Sequence, residues 1–505
     1  MPKRLLARDS HDPGRRDRSR WKRANGRRST LASPRASRAA VAGDDECAGT
    51  GVTLALYSEL VLVAALLVLW YWKENALYFV FVAAYIQNFL LAYLYTNRIA
   101  GMNFCRAAIL FKEFLLLGLF LYALVLASRE YQWEWPRPML ILFLFTGYCV
   151  LRYMFGALFL GDLSLDGLRK LRMMCYPVQI LTVSVVFTWL RPDFSKRFLR
   201  HMIVFLAVLA VVAIGLFFFA RVDFWKEHAN IATYNMDVKG DDPVTVLEDQ
   251  GVSGTAAGRE AFLFLSSFRA MGTFADPLAL GFAMAMPVLL LAYFYRKNWL
   301  NYLMLVLSGI ALFCTFSRSS WIFVVLAVGY ILVRRRKYVL IAGLALVVTV
   351  ATIVITPLAE FANSETSELT SSRPGGAHAE GLIWFYQRAF IDPGNLLGKG
   401  TGDDVQKIPE NGYAFLLEHF GFAAYASFLW FCFSLFAYFR SKENYLNPLL
   451  LIAQAVPVCI LIVMHTSQYP FAFSEYLMIW FVVGTCLGLT LTGRPASHER
   501  SELPA

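Results

Sequence analysis

Long apolar runs separated by short turns dominate the hydrophobic pattern of this chain. Runs of about 17–25 residues are long enough to cross a bilayer as a helix. They fall at 54–72, 76–96, 107–127, 138–160, 173–190, 201–220, 277–295, 299–316, 319–334, 338–357, 412–438, 447–465 and 473–492. Two polar stretches, 221–276 and 358–411, interrupt them. The short turns carry the orientation. Arg334, Arg335, Arg336 and Lys337 crowd one turn, Arg296 and Lys297 another, Arg440 and Lys442 a third. The bias of Lys and Arg toward the cytoplasm marks these as inner turns. Counting spans from them puts both polar stretches outside. Their charge agrees, with nine acids against five bases in 221–276 and eight against four in 358–411.

Thirteen full spans with an inner C-terminus would leave the N-terminus outside. The weakest run is 173–190, which contains Pro177 and Gln179. It is flanked by Arg169, Lys170 and Arg172 on one side and by Arg191, Lys196, Arg197 and Arg200 on the other. A segment basic at both ends reads as re-entrant or as lying at the inner face. The pattern therefore predicts an all-α, polytopic membrane helical bundle of about twelve transmembrane helices, with both termini inside and two long outer loops. Its segments are a basic tail (1–52), the N-terminal helices (53–220), the first loop (221–276), the central helices (277–357), the second loop (358–411), the C-terminal helices (412–492) and an inner tail (493–505).

Composition supports lipid as the solvent. Of 505 residues, 58% are hydrophobic and 16% charged, against roughly 25% charged in soluble domains. The net charge of +11 is not a nucleic-acid signal, because the first forty residues hold thirteen Lys or Arg against Asp9, Asp12 and Asp17. The rest of the chain is close to neutral. The Ser-rich basic tail has no apolar period and reads as disordered. An anchor on anionic lipid is one role for it, and translation starting further along is another. Eight cysteines are present, none in the long loops and none as C-x-x-C, which indicates neither a disulfide framework nor a zinc site.

Three strings stand out as candidate chemistry. In S-S-F-R-A-M-G-T-F-A-D-P (266–277), Asp276 suits an N-cap and Pro277 the first helical position. Arg269 then lies just outside the bilayer above a helix start, where N–H groups and a guanidinium suit phosphate. The plainer alternative is a snorkelling interfacial arginine. In T-F-S-R-S-S-W (315–321), Arg318 also faces outside, where the positive-inside rule does not account for it. The third string runs from Gly398-Lys399-Gly400-Thr401-Gly402-Asp403-Asp404 to Glu410-Asn411-Gly412-Tyr413. Its glycines lack P-loop spacing and read first as a turn. Glu410 at the membrane edge suits a general base or simply a polar helix start. His378 and Arg388 in the second loop are further candidates, as are Lys112, Glu113, Glu59, Arg152, Glu418, His419 and His465 in or near spans.

These strings, in this order, resemble the O-antigen ligase/polymerase family of bacterial envelope proteins. The resemblance covers about residues 260–440 and rests on R-A-M-G-T-F-A-D-P (269–277), S-R-S-S-W (317–321), I-D-P-G-N-L-L-G-K-G-T-G (391–402) and E-N-G-Y-A-F-L-L-E-H-F-G-F (410–422). It implies a metal-independent integral-membrane glycosyltransferase without a cofactor, working at the periplasmic face of the inner membrane. The implied donor is a glycan on undecaprenyl diphosphate, and the implied acceptor is lipid A–core or another lipid-linked glycan. The partners it implies are membrane lipid and a chain-length regulator. Arg269 and Arg318 stand at the positions of diphosphate-contacting arginines, and Arg388 of the second loop is a further candidate for diphosphate binding. Glu410 and Asn411 stand where the family often has His-Asn and are the implied catalytic pair, with His378 of the second loop as a further catalytic candidate. Glutamate in place of the ligase histidine favours a polymerase. A lipid-linked oligosaccharide flippase and a scaffolding subunit are the rivals from other classes. The sequence shows no internal repeat of the kind transporters carry.

Overall fold

The computed structural model describes residues 45–130, 134–159, 165–219, 228–239, 270, 272–274, 276–293, 298–315, 317–340, 343, 393–399, 411–442, 447–465 and 469–492, and among these there is no strand. The helices are α1 (Asp45–Trp72), α2 (Ala76–Thr96), α3 (Met102–Arg129), α4 (Arg137–Phe159), α5 (Leu165–Leu190), α6 (Pro192–Phe219), α7 (Pro277–Tyr293), α8 (Trp299–Cys314), α9 (Arg318–Arg334), α10 (Gly412–Phe420), α11 (Phe422–Ser441), α12 (Pro448–Val463) and α13 (Phe473–Leu491). Seven helical stretches among the described residues are long and apolar enough to cross a membrane. The protein is thus a multi-pass membrane protein with a helical bundle. Its packing, described below, concerns residues from Tyr57 onward.

Helix starts follow the polar residue placed before each apolar run. Asp276 Oδ1 accepts from Leu278 N–H (2.7 Å), Asn298 Oδ1 from Leu300 N–H (3.4 Å), Ser317 Oγ from Ser320 N–H (3.4 Å) and Asn447 Oδ1 from Leu449 N–H (3.1 Å). In lipid, every backbone donor left unpaired costs several kcal/mol (about the price of transfer to hydrocarbon), so these caps decide where a span begins.

At the centre α13 lies along α5. Gly484 backs onto Ser184 and Leu181 O, and Gly488 onto Thr188 and Val185 O. The two helices therefore run parallel and meet through small residues, as membrane helices do where backbones approach closely. Trp480, Tyr476 and Phe481 of α13 are buried, whereas Leu60, Leu66, Leu67 and Trp70 of α1 are exposed where lipid would cover them.

The helix ends sort onto two faces. On one, Arg191 pairs with Glu74 (3.3 Å) and Arg335 lies over the Tyr293 ring (5.7 Å). On the other, the loop face, Asn97 donates to His228 O, Arg152 to Leu397 O, Ala270 to Cys314 O and Gly412 to Met464 O. This sorting corrects the expectation for 173–190. Leu165–Leu190 is one continuous helix leading from the loop face to the Arg191 face, and 72% of its apolar window is buried, against 78% for α13. It is a central span and not a re-entrant segment. The basic flank misleads because Arg172 is paired with Glu113 of α3 (3.5 Å), which cancels its charge as a topology marker. The count of twelve with both ends on one side loses its basis. Tyr57 of α1 meets Phe104 at the start of α3 (6.0 Å), on the loop face, while α13 exits on the opposite face.

A second correction concerns 412–438, expected as one run. It is broken at Gly421 (φ +86°) into the nine-residue α10, buried throughout, and α11. A Cβ at Gly421 would lie 2.5 Å from Leu397 C, so the break exists where the second loop returns and packs on the helix.

The α5–α13 contact has a direct test. A Cβ at Gly488 would lie 2.6 Å from Thr188 Cβ and 2.7 Å from Val185 O. Overpacking of this kind costs about 1–3 kcal/mol. Gly488→Ala should lower the thermal unfolding midpoint in detergent by several degrees, whereas Gly147→Ala, where a Cβ meets nothing within 4 Å, should leave it unchanged.

Candidate functional site

Described parts of the three sequence strings lie on the loop face. Ala270 N–H donates to Cys314 O (2.9 Å), which ties the first string to the end of α8, just before the second string begins. Gly272 adopts φ +53°, and a Cβ there would meet Ala213 Cβ of α6 at 2.8 Å. Phe274 packs on Tyr85 of α2 (4.9 Å). Below, Gly281 of α7 sits against Ser317 and Ser320 at the start of α9.

Asp276 caps α7 as the sequence predicts, and this alters the expected anion site. Its own carboxylate takes Leu278 N–H, so the positive end of α7 is already answered by a negative charge. The start of α9 differs. Ser317 caps it with a neutral hydroxyl, itself set by Thr315 Oγ1 accepting from Ser317 N–H (3.2 Å). Arg318 opens this helix. Its side chain is outside the described part of the structure, as are Arg269, Glu410, His378 and Arg388, together with Asp403 and Asp404.

The third string joins through α12. Tyr330 OH of α9 donates to Gln454 Oε1 of α12 (3.0 Å), and the two helices run in opposite directions. Twelve residues back along α9 is Arg318, and eleven residues forward along α12 is His465, each about 16–18 Å from that bond. Arg318 and His465 therefore stand at one level. Asn411 is anchored there. Its Oδ1 accepts from Tyr413 N–H (2.9 Å) and Ala414 N–H (3.0 Å), and its Nδ2 donates to His465 O (3.1 Å). Only 1% of Asn411 is exposed. Its amide is thus engaged with the backbone, which makes it a positioning residue for the start of α10. The His465 ring packs edge-on to Tyr413 (4.8 Å), and burial pushes its imidazole below the ordinary histidine value.

Sequence reasoning missed how the second loop is held. Arg152 of α4 donates from Nε to Leu397 O (2.7 Å) and from Nη2 to Gly398 O (2.8 Å). Lys399 N–H donates to Glu418 O (2.6 Å), and its Nζ lies 3.8 Å from Glu418 Oε1. Tyr148 OH donates to Phe420 O (3.1 Å). Gly398, at φ +81°, faces Gly421.

A second charged group lies within the bundle. Tyr176 OH donates to Glu113 Oε2 (2.6 Å) beside the Arg172 pair, and Lys112 sits over the Phe473 ring (5.7 Å). Glu475 of α13, nearly buried, accepts from Ser474 Oγ (3.1 Å). Lys112 and Glu113 thus turn to different partners, as adjacent helical positions must. Among the described residues no three His, Cys, Asp or Glu side chains converge as a metal site, and the seven described cysteines are free.

The cap can be tested by stability. Asn411→Ala should cost about 1–2 kcal/mol through loss of the cap, while Asn411→Ser, which keeps an acceptor, should fall between Ala and the parent. Melting curves in detergent that place Ala level with the parent would exclude this positioning role.

The chain matches no protein-family model, and no curated protein is similar to it.

Proposed function

We propose that the protein transfers a glycan from a lipid diphosphate carrier to a glycan or lipid A–core acceptor, on the face that carries the two acidic loops, in the manner of the O-antigen ligase/polymerase family. In this reading that face is periplasmic and the membrane is the bacterial inner membrane. One observation supports it: described parts of strings separated by tens of residues share one end of the bundle, with Ala270 bonded to Cys314 and the start of α9 level with the Asn411–His465 contact.

The chemistry is a displacement at the anomeric carbon. The acceptor oxygen forms the new C–O bond as the bond to the diphosphate breaks, and negative charge grows on the departing phosphate oxygen. Arg269 and Arg318 stabilise that charge where the dielectric is low, helped by the neutral-capped start of α9, with Arg388 as a third cation. Glu410 takes the acceptor proton. Asn411, next in the chain, supplies a fixed backbone anchor for it. Glutamate in this role favours polymerisation over ligation.

A transporter of the lipid-linked glycan is the second reading. It is favoured by the helix break at Gly421 and by the charges of Lys112, Glu113, Arg172 and Glu475 inside the bundle.

Arg269→Ala or Arg318→Ala should lower glycan chain formation on the order of a hundredfold or more in cells where the protein still inserts. Normal glycan banding in both variants would remove the proposal. Glu410→Gln separates the base role, since full activity would assign the proton elsewhere. In proteoliposomes, longer glycans mark a transferase, and movement of unchanged donor across the bilayer marks a transporter.

A further inference from the structure

The first loop begins with a segment that is built onto the bundle more firmly than a connection requires. Asn97 Nδ2 donates to His228 O (2.9 Å), Asn230 N–H to Thr96 Oγ1 (3.0 Å) and Tyr95 OH to Asp237 Oδ2 (3.0 Å). Arg106 holds Val238 O and Asp237 O at 3.1 and 2.7 Å. Ala229, Ile231, Tyr234 and Val238 form a small core with Leu91, Ala92 and Cys105. Between this segment and the α2–α3 turn lies a cleft of about 470 Å³, lined by Tyr95, Thr96, Arg98, Gly101, Asn230 and Thr233.

The lining is suited to a sugar: an aromatic ring, two hydroxyls and an amide beside a glycine that leaves open space. Arg98 adds a cation. It sits at φ +56°, a conformation that costs a non-glycine residue energy and persists where the surroundings impose it. Among the described residues no carboxylate or carbonyl takes its guanidinium; the Asp237 carboxylate accepts from Tyr95 OH, while Arg106 takes the Asp237 backbone carbonyl. The position also fits. Tyr85, which packs on Phe274 of the first string, is ten residues before Tyr95 on the same helix. That is about 15 Å, a distance an oligosaccharide of a few units covers.

From this geometry we infer that the cleft is a subsite for an acidic sugar unit of the glycan, with Arg98 as the residue that recognises its carboxylate. The inference takes its ligand class from the glycosyl-transfer reading, but its test does not require transfer.

Full-length protein in phosphatidylcholine nanodiscs is titrated with trigalacturonate and with neutral maltotriose, read by saturation-transfer NMR. The acidic trisaccharide should bind more tightly. Arg98→Gly should weaken it about tenfold, the loss of one hydrogen-bonded charge, toward the maltotriose level. The melting temperature should hold or rise, because glycine adopts positive φ without strain. Arg98→Lys, which keeps the charge, should retain part of the preference. Equal binding of the two sugars, undiminished binding in Arg98→Gly, or displacement by phosphatidylglycerol at low mole fraction would each overturn the assignment. The titration uses no lipid-linked donor and reads no transfer, so failure of the transfer reading and failure of this subsite give different results.

Discussion

α5 and α13 approach backbone to backbone at Gly484 and Gly488, and the layout of the loop face depends on that distance. The loop-side halves of the same two helices carry the charged and aromatic groups of the interior. Tyr176 of α5 packs on Phe473 of α13 (4.7 Å), Phe473 receives Lys112, and Arg172 holds Glu113. Moving the helices apart by the width of a methyl group would separate these partners. In lipid there is little hydrophobic gain from helix association, so close van der Waals packing of small residues carries the work.

Local signals were readable and long-range ones were not. Asp276-Pro277 announces a helix start because a cap acts over two or three residues, and the structure places it there. The apolar runs are readable for the same reason, since a span is a property of consecutive residues. Arg172 was misread because its partner, Glu113, lies on another helix, and a charge count along the chain sees only an unpaired arginine. The break at Gly421 was hidden by an apolar run on both sides. It is dictated by the loop that packs on it, through Gly398 and Leu397, more than twenty residues away in sequence.

The candidate site divides in the same way. Residue types and their order pointed to one face of the bundle, and described parts of each string lie on it. The division of labour within the site was not legible. Asn411 looked like chemistry and is engaged as a cap, while Asp276 looked like a cap and also fills an anion position with its own charge. Arg152 and Lys399, which hold the returning loop, give no local sign beyond being cations near a membrane edge.

The paired glycines at 398 and 421 have a mechanical consequence. With Arg152 gripping Leu397 and Gly398, and Lys399 bonded to Glu418, the chain is clamped twelve residues before it reaches Asn411. Tension or added length arising upstream in the second loop stops at that clamp. The register of α10 is thus fixed at both ends, by the Asn411 cap at its start and by the clamp on Glu418 and Gly421 at its close.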